Sequence, residues 1–164
     1  MSGFSTLRRF VLSAVMLGFA AHAAAAPAPL TLDVYNPGAA AIFPVSSVLV
    51  SGDKDAILVD AQFGKAQAQQ VVDKIRASGK HLTTIYISHG DPDYYFGLET
   101  LTQAFPDAKV VAPGPVVEHI NQTKDAKLAF WGPQMGADMP QKLIVPQVLK
   151  GNTLDLEGHE LDIV

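Results

Sequence analysis

Short apolar runs alternate along this chain with segments that have helical spacing. The runs are rich in aliphatic and β-branched residues and are bounded by Gly, Pro, Asn or Asp, which is typical of strands. The runs that predict strands are residues 30–35, 46–50, 56–59, 83–87, 109–112, 143–145, 153–156 and 161–164. Because the second and third runs flank a Gly-Asp-Lys-Asp turn, they predict an antiparallel hairpin.

Helical spacing occurs in two segments between these strands. The apolar residues of the first helix face are Ala68, Val71, Val72 and Ile75. Those of the second helix face are Leu98, Leu101 and Phe105. Recurrence at three and four residues puts each set on one face, and Gly79 and Pro106 are predicted to end the two helices. Strands that alternate with helices indicate an α/β fold, and the early hairpin predicts a mixed sheet.

The segment after the fifth strand has weaker patterning. Residues 116–120 indicate a short helix, whereas residues 124–140 are rich in Gly, Pro and Met and are predicted to be irregular. Phe130 and Trp131 in this segment either pack against the sheet or form a lid over a substrate pocket. The large apolar area of the two rings favours packing.

The composition is that of one globular domain. The 164 residues are 48% hydrophobic and 17% charged, which is enough apolar material for a core. The formal net charge of −4 argues against a nucleic-acid surface, since contacts to phosphates need clustered Lys and Arg. The chain has no Cys, which excludes disulfides and a thiol nucleophile and leaves His and carboxylate side chains as metal ligands.

The first 26 residues have the order of a secretory signal peptide. Arg8 and Arg9 precede the apolar stretch 10–21, and the small residues 23–26 follow as a cleavage region. The apolar stretch is shorter than the ~20 residues that a membrane-spanning helix needs. We therefore expect residues 1–26 to be a signal peptide, the mature protein to be periplasmic or secreted, and no membrane contact after cleavage.

Residues 88–97 read Ser-His-Gly-Asp-Pro-Asp-Tyr-Tyr-Phe-Gly and follow a predicted buried strand. His89, Asp91 and Asp93 occupy every second position, and alternate residues of an extended segment point the same way. Pro92 favours this extension because it biases Asp91 away from the helical region. The three side chains are therefore predicted to converge at the C-terminal end of a strand, where α/β sheets commonly place ligands.

One imidazole and two carboxylates suit Zn²⁺, or alternatively Mn²⁺ or Fe²⁺. Such an ion lowers the pKa of bound water to roughly 7 and makes hydroxide available at neutral pH. The other interpretation of the loop is local turn chemistry, because Asp-Pro-Asp suits a turn and Asp93 could cap the following helix. The residues alone leave both interpretations open.

The loop resembles the signature of the metallo-β-lactamase superfamily, which runs His-x-His-x-Asp-His between a buried strand and a helix. The resemblance extends from about residue 46 to the C-terminus and implies a partial metallo-β-lactamase fold, the N-terminal half of an αββα sandwich with a mixed β-sheet and flanking helices. By position, His89 matches the first His and Asp93 the Asp. Asp91 and Tyr94 stand where the family has its second and final His. The resemblance therefore implies His89, Asp91 and Asp93 as ligands of one or two ions.

The resemblance also implies three supporting roles. Asp93 is implied to take part in catalysis as well as in metal binding. Tyr94 is implied to lie beside the ligands, because a phenol with a pKa near 10 is mostly protonated at neutral pH and is a poor ligand. Asp60, which ends the strand before the first helix, matches an Asp that orients a ligand by hydrogen bonding. The other interpretation is that Asp60 caps the next turn or helix.

The function that the resemblance implies is metal-dependent hydrolysis. A metal-bound hydroxide would attack an ester, lactone, amide or thioester bond of a small-molecule substrate. In the family a second half supplies further ligands, and this chain ends within an apolar run. Residues 27–164 are therefore expected to be a truncated domain with little or no hydrolase activity. The alternative is a non-catalytic periplasmic binding or interaction module on the same fold, and the oligomeric state stays open.

Overall fold

The computed structural model describes residues 28–164 of the chain. The signal peptide expected at residues 1–26 lies outside the described residues and stays a prediction. Within residues 28–164, no helix combines the length and the apolar character that crossing a membrane requires.

A mixed sheet within residues 31–148 forms the centre of the molecule. Its six strands, in chain order and also in spatial order, are β1 (Thr31–Tyr35), β2 (Ser47–Ser51), β3 (Asp55–Val59), β4 (His81–Tyr86), β5 (Lys109–Ala112) and β6 (Gln147–Val148). The first three strands pair antiparallel, and β3 to β6 pair parallel. The predicted hairpin and the predicted mixed sheet are therefore confirmed.

Helices flank this sheet in the described part of the chain. They are α1 (Lys65–Ser78), α2 (Pro92–Tyr95), α3 (Leu98–Ala104) and α4 (Gly114–Met135), with 3₁₀ turns at Gly38–Ala40 and Gly136–Asp138. The first predicted helix is present as α1, which buries all four apolar residues of its predicted face and ends at Gly79 with φ 68°. The second is present as α3, which ends before Phe105.

Helix α4 differs from the prediction made for this segment. The pattern predicts a short helix at 116–120 and irregular chain at 124–140, but the structure has one continuous helix of 22 residues. The prediction is wrong because Gly and Pro near the end of the segment obscured a run of good helix formers. Pro133 falls in the last turn of this helix. The strand predicted at 143–145 is also wrong, since Gln147–Val148 makes the pairing with β5.

One face of the sheet packs against α1, α3 and α4 and forms the main core. Aromatic rings fill the part of this core beneath α4. The ring centroids of Phe43 and Trp131 lie 5.0 Å apart and those of Phe63 and Trp131 lie 5.7 Å apart, both edge to face. The packing predicted for Trp131 is therefore confirmed, whereas its neighbour Phe130 is 64% exposed.

A separate hairpin covers part of the other face of the sheet. Its strands are β7 (Thr153–Leu156) and β8 (His159–Asp162). Leu156 packs against Val50 and Ile57 of the central sheet. Glu157, the first residue of the hairpin turn, accepts hydrogen bonds from the backbone amides of residues 53–55 at 2.6, 2.6 and 2.7 Å. This carboxylate fastens the hairpin to the turn between β2 and β3.

Candidate functional site

The motif loop lies at the edge of the sheet where β3 and β4 end. Because these strands are parallel neighbours, Asp60 and residues 88–91 leave the sheet side by side. Backbone hydrogen bonds join the two segments. The amide of Asp60 donates to the carbonyl oxygen of Tyr86 at 2.8 Å, and the amide of Ala61 donates to that of Tyr94 at 2.7 Å.

The segment that follows β3 is held in a strained conformation. Asp60 and Gln62 have φ values of 63° and 73°, in the left-handed region that costs a residue other than glycine about 1–2 kcal/mol. The amide of Gly97 donates to the carbonyl oxygen of Gln62 at 2.9 Å, and a Cβ at position 97 would collide with the carbonyl oxygen of Ala61. The motif therefore needs glycine at its end so that this segment can approach and hold Asp60 in place.

Asp60 is the buried acid of the site, with 5% of its surface exposed. Its carboxylate accepts hydrogen bonds from the backbone amide of Ser88 at 2.8 Å and from the Ser88 hydroxyl at 2.7 Å. Burial raises the pKa of Asp60 to about 6, although both hydrogen bonds from Ser88 lower it. Helix α1 begins after Gly64, so Asp60 does not cap that helix and holds Ser88 instead.

Ser88 links Asp60 to His89. Its hydroxyl donates to the Asp60 carboxylate, and its Oγ lies 2.7 Å from Nδ1 of His89. Because the single hydroxyl hydrogen is used by Asp60, Nδ1 carries a hydrogen and donates it to Oγ, which leaves Nε2 with a lone pair. The exposed imidazole therefore offers a base or a metal ligand at Nε2. Sequence reasoning missed Ser88, although a hydroxyl residue directly before the motif His was a visible signal.

Tyr94 lies beside the imidazole of His89. The two ring centroids are 4.5 Å apart and the ring planes are inclined by 30°. Burial raises the pKa of Tyr94, and the nearby carboxylate of Asp93 raises it further. Tyr94 therefore contacts His89 by ring packing and keeps its hydroxyl protonated at neutral pH.

Asp93 does not continue the extended segment that begins the loop. Asp91 is extended, with φ −88° and ψ 150°, but Pro92 begins α2 and places Asp93 in the first turn of that helix. The argument from every second residue therefore fails at Asp93. Burial raises the pKa of Asp93, a hydrogen bond from its own backbone amide lowers it, and the neighbouring charge of Asp91 raises it.

Asp91 forms an ion pair with a lysine instead of joining His89 and Asp93 in a shared site. Its Oδ1 lies 2.9 Å from Nζ of Lys127 on α4. Among residues 28–164, no three His, Cys, Asp or Glu side chains form a group that could hold a metal ion. The predicted convergence of His89, Asp91 and Asp93 is therefore wrong, because a helix begins between the two carboxylates and Lys127 attracts the first of them. That these residues ligate a metal stays a prediction.

The donor atoms of the site fit a divalent cation in kind, and two of the three predicted donors, on His89 and Asp93, are not engaged by Lys127. Nε2 of His89 has a lone pair, and Asp93 adds a carboxylate from the same loop. Catalytic zinc sites typically take three protein ligands, so Asp91 would complete the set only after leaving Lys127. Asp60 is buried against Ser88, which suits a residue that orients a ligand better than one that binds the ion itself.

Two cavities in the described part of the chain lie away from the motif loop. One of about 200 Å³ is bounded by residues 41–43, the start of α1 and the end of α4. A more open one of about 590 Å³ runs along α4 from Asp125 to Pro133 and includes Met139. Neither is lined by residues 88–97, so the exposed imidazole of His89 lies at the surface of the described structure.

Comparison with known proteins points to one superfamily. The sequence model of the metallo-beta-lactamase superfamily matches residues 41–162. Uncharacterized protein YobT of Bacillus subtilis (strain 168) is 34% identical over 71 residues, which is 43% of this chain and 30% of that protein.

Solved metallo-beta-lactamases share the fold. One from Pontibacter korlensis aligns with a TM-score of 0.54 at 17% identity, over 81% of this chain and 53% of its own. One from Cronobacter sakazakii, described by its HARLDQ motif, aligns with a TM-score of 0.50 at 25% identity, over 70% of this chain and 43% of its own. The chain spans about half the length, or less, of the proteins that it matches.

Proposed function

Because the chain belongs to the metallo-β-lactamase superfamily, we propose that its motif loop binds a divalent cation for the hydrolysis of an ester-, lactone- or amide-type bond. The observation that carries this proposal is the hydrogen-bonded series from Asp60 through Ser88 to His89. It fixes the tautomer of the imidazole and leaves Nε2 available, as second-sphere partners do for metal-binding histidines.

Each residue of the loop has a distinct part in this proposal. His89 would donate through Nε2, and Asp93 would donate through its carboxylate and act as the catalytic residue. Tyr94 keeps the imidazole in place by ring packing. When bound, the cation (Zn²⁺, or alternatively Mn²⁺ or Fe²⁺) supplies Lewis-acid activation of water and of the bond under attack.

The named motif of the Cronobacter protein supports the ligand assignment. HARLDQ has His in its first position and Asp in its fifth, with Arg and Gln where the superfamily signature has His. In this chain His89 and Asp93 have the same spacing, with Asp91 and Tyr94 at the two altered positions. A chain that departs from the signature at these positions therefore has a parallel in a protein described as a metallo-β-lactamase.

The activity expected of this chain is weak. With Asp91 engaged by Lys127, two of the three predicted donors remain, and a site of two donors binds metal less tightly than a complete one. The small-molecule substrate belongs to the proposal as well, and so does the periplasmic or secreted location expected from residues 1–26.

The ion pair of Asp91 with Lys127 also favours the second candidate, a non-catalytic binding module on the same fold. In that case the charge of Asp91 is balanced by Lys127, and this carboxylate needs no metal. The two candidates differ in one measurable property, which is stoichiometric metal held through His89.

Metal content after dialysis against Zn²⁺ or Mn²⁺ tests the proposal. At equilibrium with an excess of the ion the chain should bind about one ion, and His89→Ala should bind none because Nε2 is removed. His81→Ala is the matched control, since His81 is exposed and pairs with Asp55 at 3.0 Å, away from the loop. A chain without metal, or a His89→Ala variant that keeps its metal, would contradict the proposal.

A further inference from the structure

The ammonium group of Lys127 makes three contacts at the motif loop. Its Nζ donates to the carbonyl oxygen of Gly90 at 2.9 Å, to Oδ1 of Asp91 at 2.9 Å, and to Nε2 of His119 at 3.0 Å. An ammonium has three hydrogens, so every one of them is used. The Lys127 side chain is 19% exposed and that of Asp91 is 61% exposed, so the ammonium end of this ion pair is largely buried while the carboxylate end faces solvent.

His119 and Gly90 lie beside the contact between Lys127 and the motif loop. His119 and Lys127 are eight residues apart on α4, which is about two turns and puts both on the side that meets the loop. Gly90 allows the approach, because a Cβ at position 90 would lie 2.7 Å from Cδ2 of the His119 ring. The loop and α4 therefore pack closely together, and Lys127 makes the polar contacts between them.

A lysine at this position and a divalent cation would need the same carboxylate. A cation that took Asp91 as a ligand would lie a few ångströms from the ammonium, and like charges repel strongly at that distance. Release of Asp91 would also leave the Lys127 charge partly buried with one partner fewer, which costs free energy.

We propose that Lys127 competes with a divalent metal ion for the Asp91 carboxylate and so keeps the motif loop in a weakly binding state. This inference rests on the proposed metal-binding function of the loop and extends it to a residue of α4. It makes Lys127 a determinant of metal affinity although a lysine is not itself a ligand.

Calorimetric titration with Zn²⁺ tests the competition. Lys127→Met removes the charge and should tighten Zn²⁺ binding about ten-fold, which corresponds to about 1.4 kcal/mol. Lys127→Gln removes the same charge, keeps a polar group near Gly90, and should also tighten binding. Lys124→Met is the matched control, because Lys124 lies on the same helix and pairs with Asp125 at 2.8 Å rather than with the loop.

A double variant separates competition for the carboxylate from a general effect of charge. Adding Asp91→Asn to Lys127→Met should return the Zn²⁺ affinity to that of the unaltered chain, since the released ligand is then missing. If the double variant keeps the gain, the proposed competition for Asp91 is wrong.

The remaining outcomes distinguish this inference from the function on which it rests. If the unaltered chain binds Zn²⁺ and neither Lys127 variant binds it more tightly, the inference fails and the proposed function stands. If no variant binds Zn²⁺, both fail. Circular dichroism of each variant establishes that it is folded, and Lys127→Gln decides the matter if Lys127→Met does not fold.

Discussion

Ser88 joins a buried carboxylate to an exposed imidazole through a single hydroxyl group. The Ser88 hydroxyl donates its hydrogen to Asp60 and accepts a hydrogen bond from Nδ1–H of His89. The Asp60 carboxylate therefore determines the tautomer of the His89 imidazole. The sequence identified His89 and Asp60 separately, because each stands at a strand end. It could not identify their connection, since Asp60 and Ser88 are 28 residues apart and meet only when β3 and β4 pair.

Removal of the Ser88 hydroxyl tests this connection. In Ser88→Ala, Nδ1 of His89 loses its acceptor, so the ring should cease to favour the Nδ1–H tautomer and Zn²⁺ affinity should fall about 10–100-fold. Long-range ¹H–¹⁵N correlation spectra report the tautomer, and calorimetry reports the affinity. Ser88→Thr retains the hydroxyl and should behave like the unaltered chain. An Ser88→Ala variant with unchanged tautomer and affinity would show that the hydroxyl has no such role.

Asp60 should make stability depend on pH in metal-free buffer. Its pKa in the folded state is about 6, above the ordinary 3.8, so the folded state keeps this proton to higher pH than the unfolded state. Ionisation of Asp60 therefore costs stability as pH rises from about 4 to about 6, by about 3 kcal/mol in total. Urea unfolding across this range should show that cost in the unaltered chain and its absence in Asp60→Asn. If the unfolding free energies of the two proteins depended on pH in the same way, the raised pKa of Asp60 would be contradicted.

Asp91 and Asp93 show where reasoning at the residue scale stops. Their spacing predicted a shared direction, and Pro92 was correctly expected to keep Asp91 extended. The same Pro92 also begins α2, which turns Asp93 into a helix and separates the two carboxylates. A proline favours extension before itself and helix initiation after itself, and only the second effect was overlooked.

At the scale of elements, a helix or strand could be predicted where its apolar residues recur at a regular spacing. Helix α1 and strands β1 to β5 were recoverable because their apolar residues recur at 3.6 or form short aliphatic runs. Helix α4 was not, because its buried residues Val117, Ile120, Gly132 and Met135 are widely spaced and give no continuous stripe. Lys127 was therefore overlooked as well, since its position depends on that helix.

The hairpin of β7 and β8 is attached through the carboxylate of Glu157 as well as through the apolar contacts of Leu156. Glu157 accepts three backbone hydrogen bonds, which lower its pKa below the ordinary value. Glu157→Gln keeps at most part of this arrangement, so exchange of the amides of residues 53–55 with solvent should quicken about ten-fold, measured by hydrogen exchange. Glu160→Gln, an exposed position on the same hairpin, is the control. Unchanged exchange in Glu157→Gln would show that the hairpin is held by its apolar contacts alone.

The sign of the pH dependence at Glu157 is opposite to that at Asp60. A pKa that is lowered on folding stabilises the protein above the unfolded pKa of about 4.5, and this contribution is lost as pH falls through the folded value. The amides of residues 53–55 should therefore lose their protection in acid before those of the central sheet, within the same hydrogen-exchange experiment.

At the scale of the whole molecule, the order of elements carried more information than the motif. The succession of hairpin, helix, buried strand, acidic loop and helix lies within residues 41–162, which the superfamily model matches. This order was enough to predict where the site lies in the chain, but it was not enough to predict the contacts between its side chains. Its geometry depends on the meeting of the loop with α4, where Asp91 and Lys127 are 36 residues apart. Contacts between residues so far apart in the chain cannot be predicted from the spacing of neighbouring residues.

The imidazole nitrogens of His89 report most directly on the central claim, that this ring is held ready to bind a metal ion through Nε2. In a ¹⁵N NMR titration with Zn²⁺, the Nε2 resonance of His89 should shift while Nδ1 keeps its hydrogen, since Nδ1 remains bonded to Ser88. A spectrum in which Nε2 of His89 is unaffected at saturating Zn²⁺, or in which Nδ1 is the nitrogen that binds, would contradict the account.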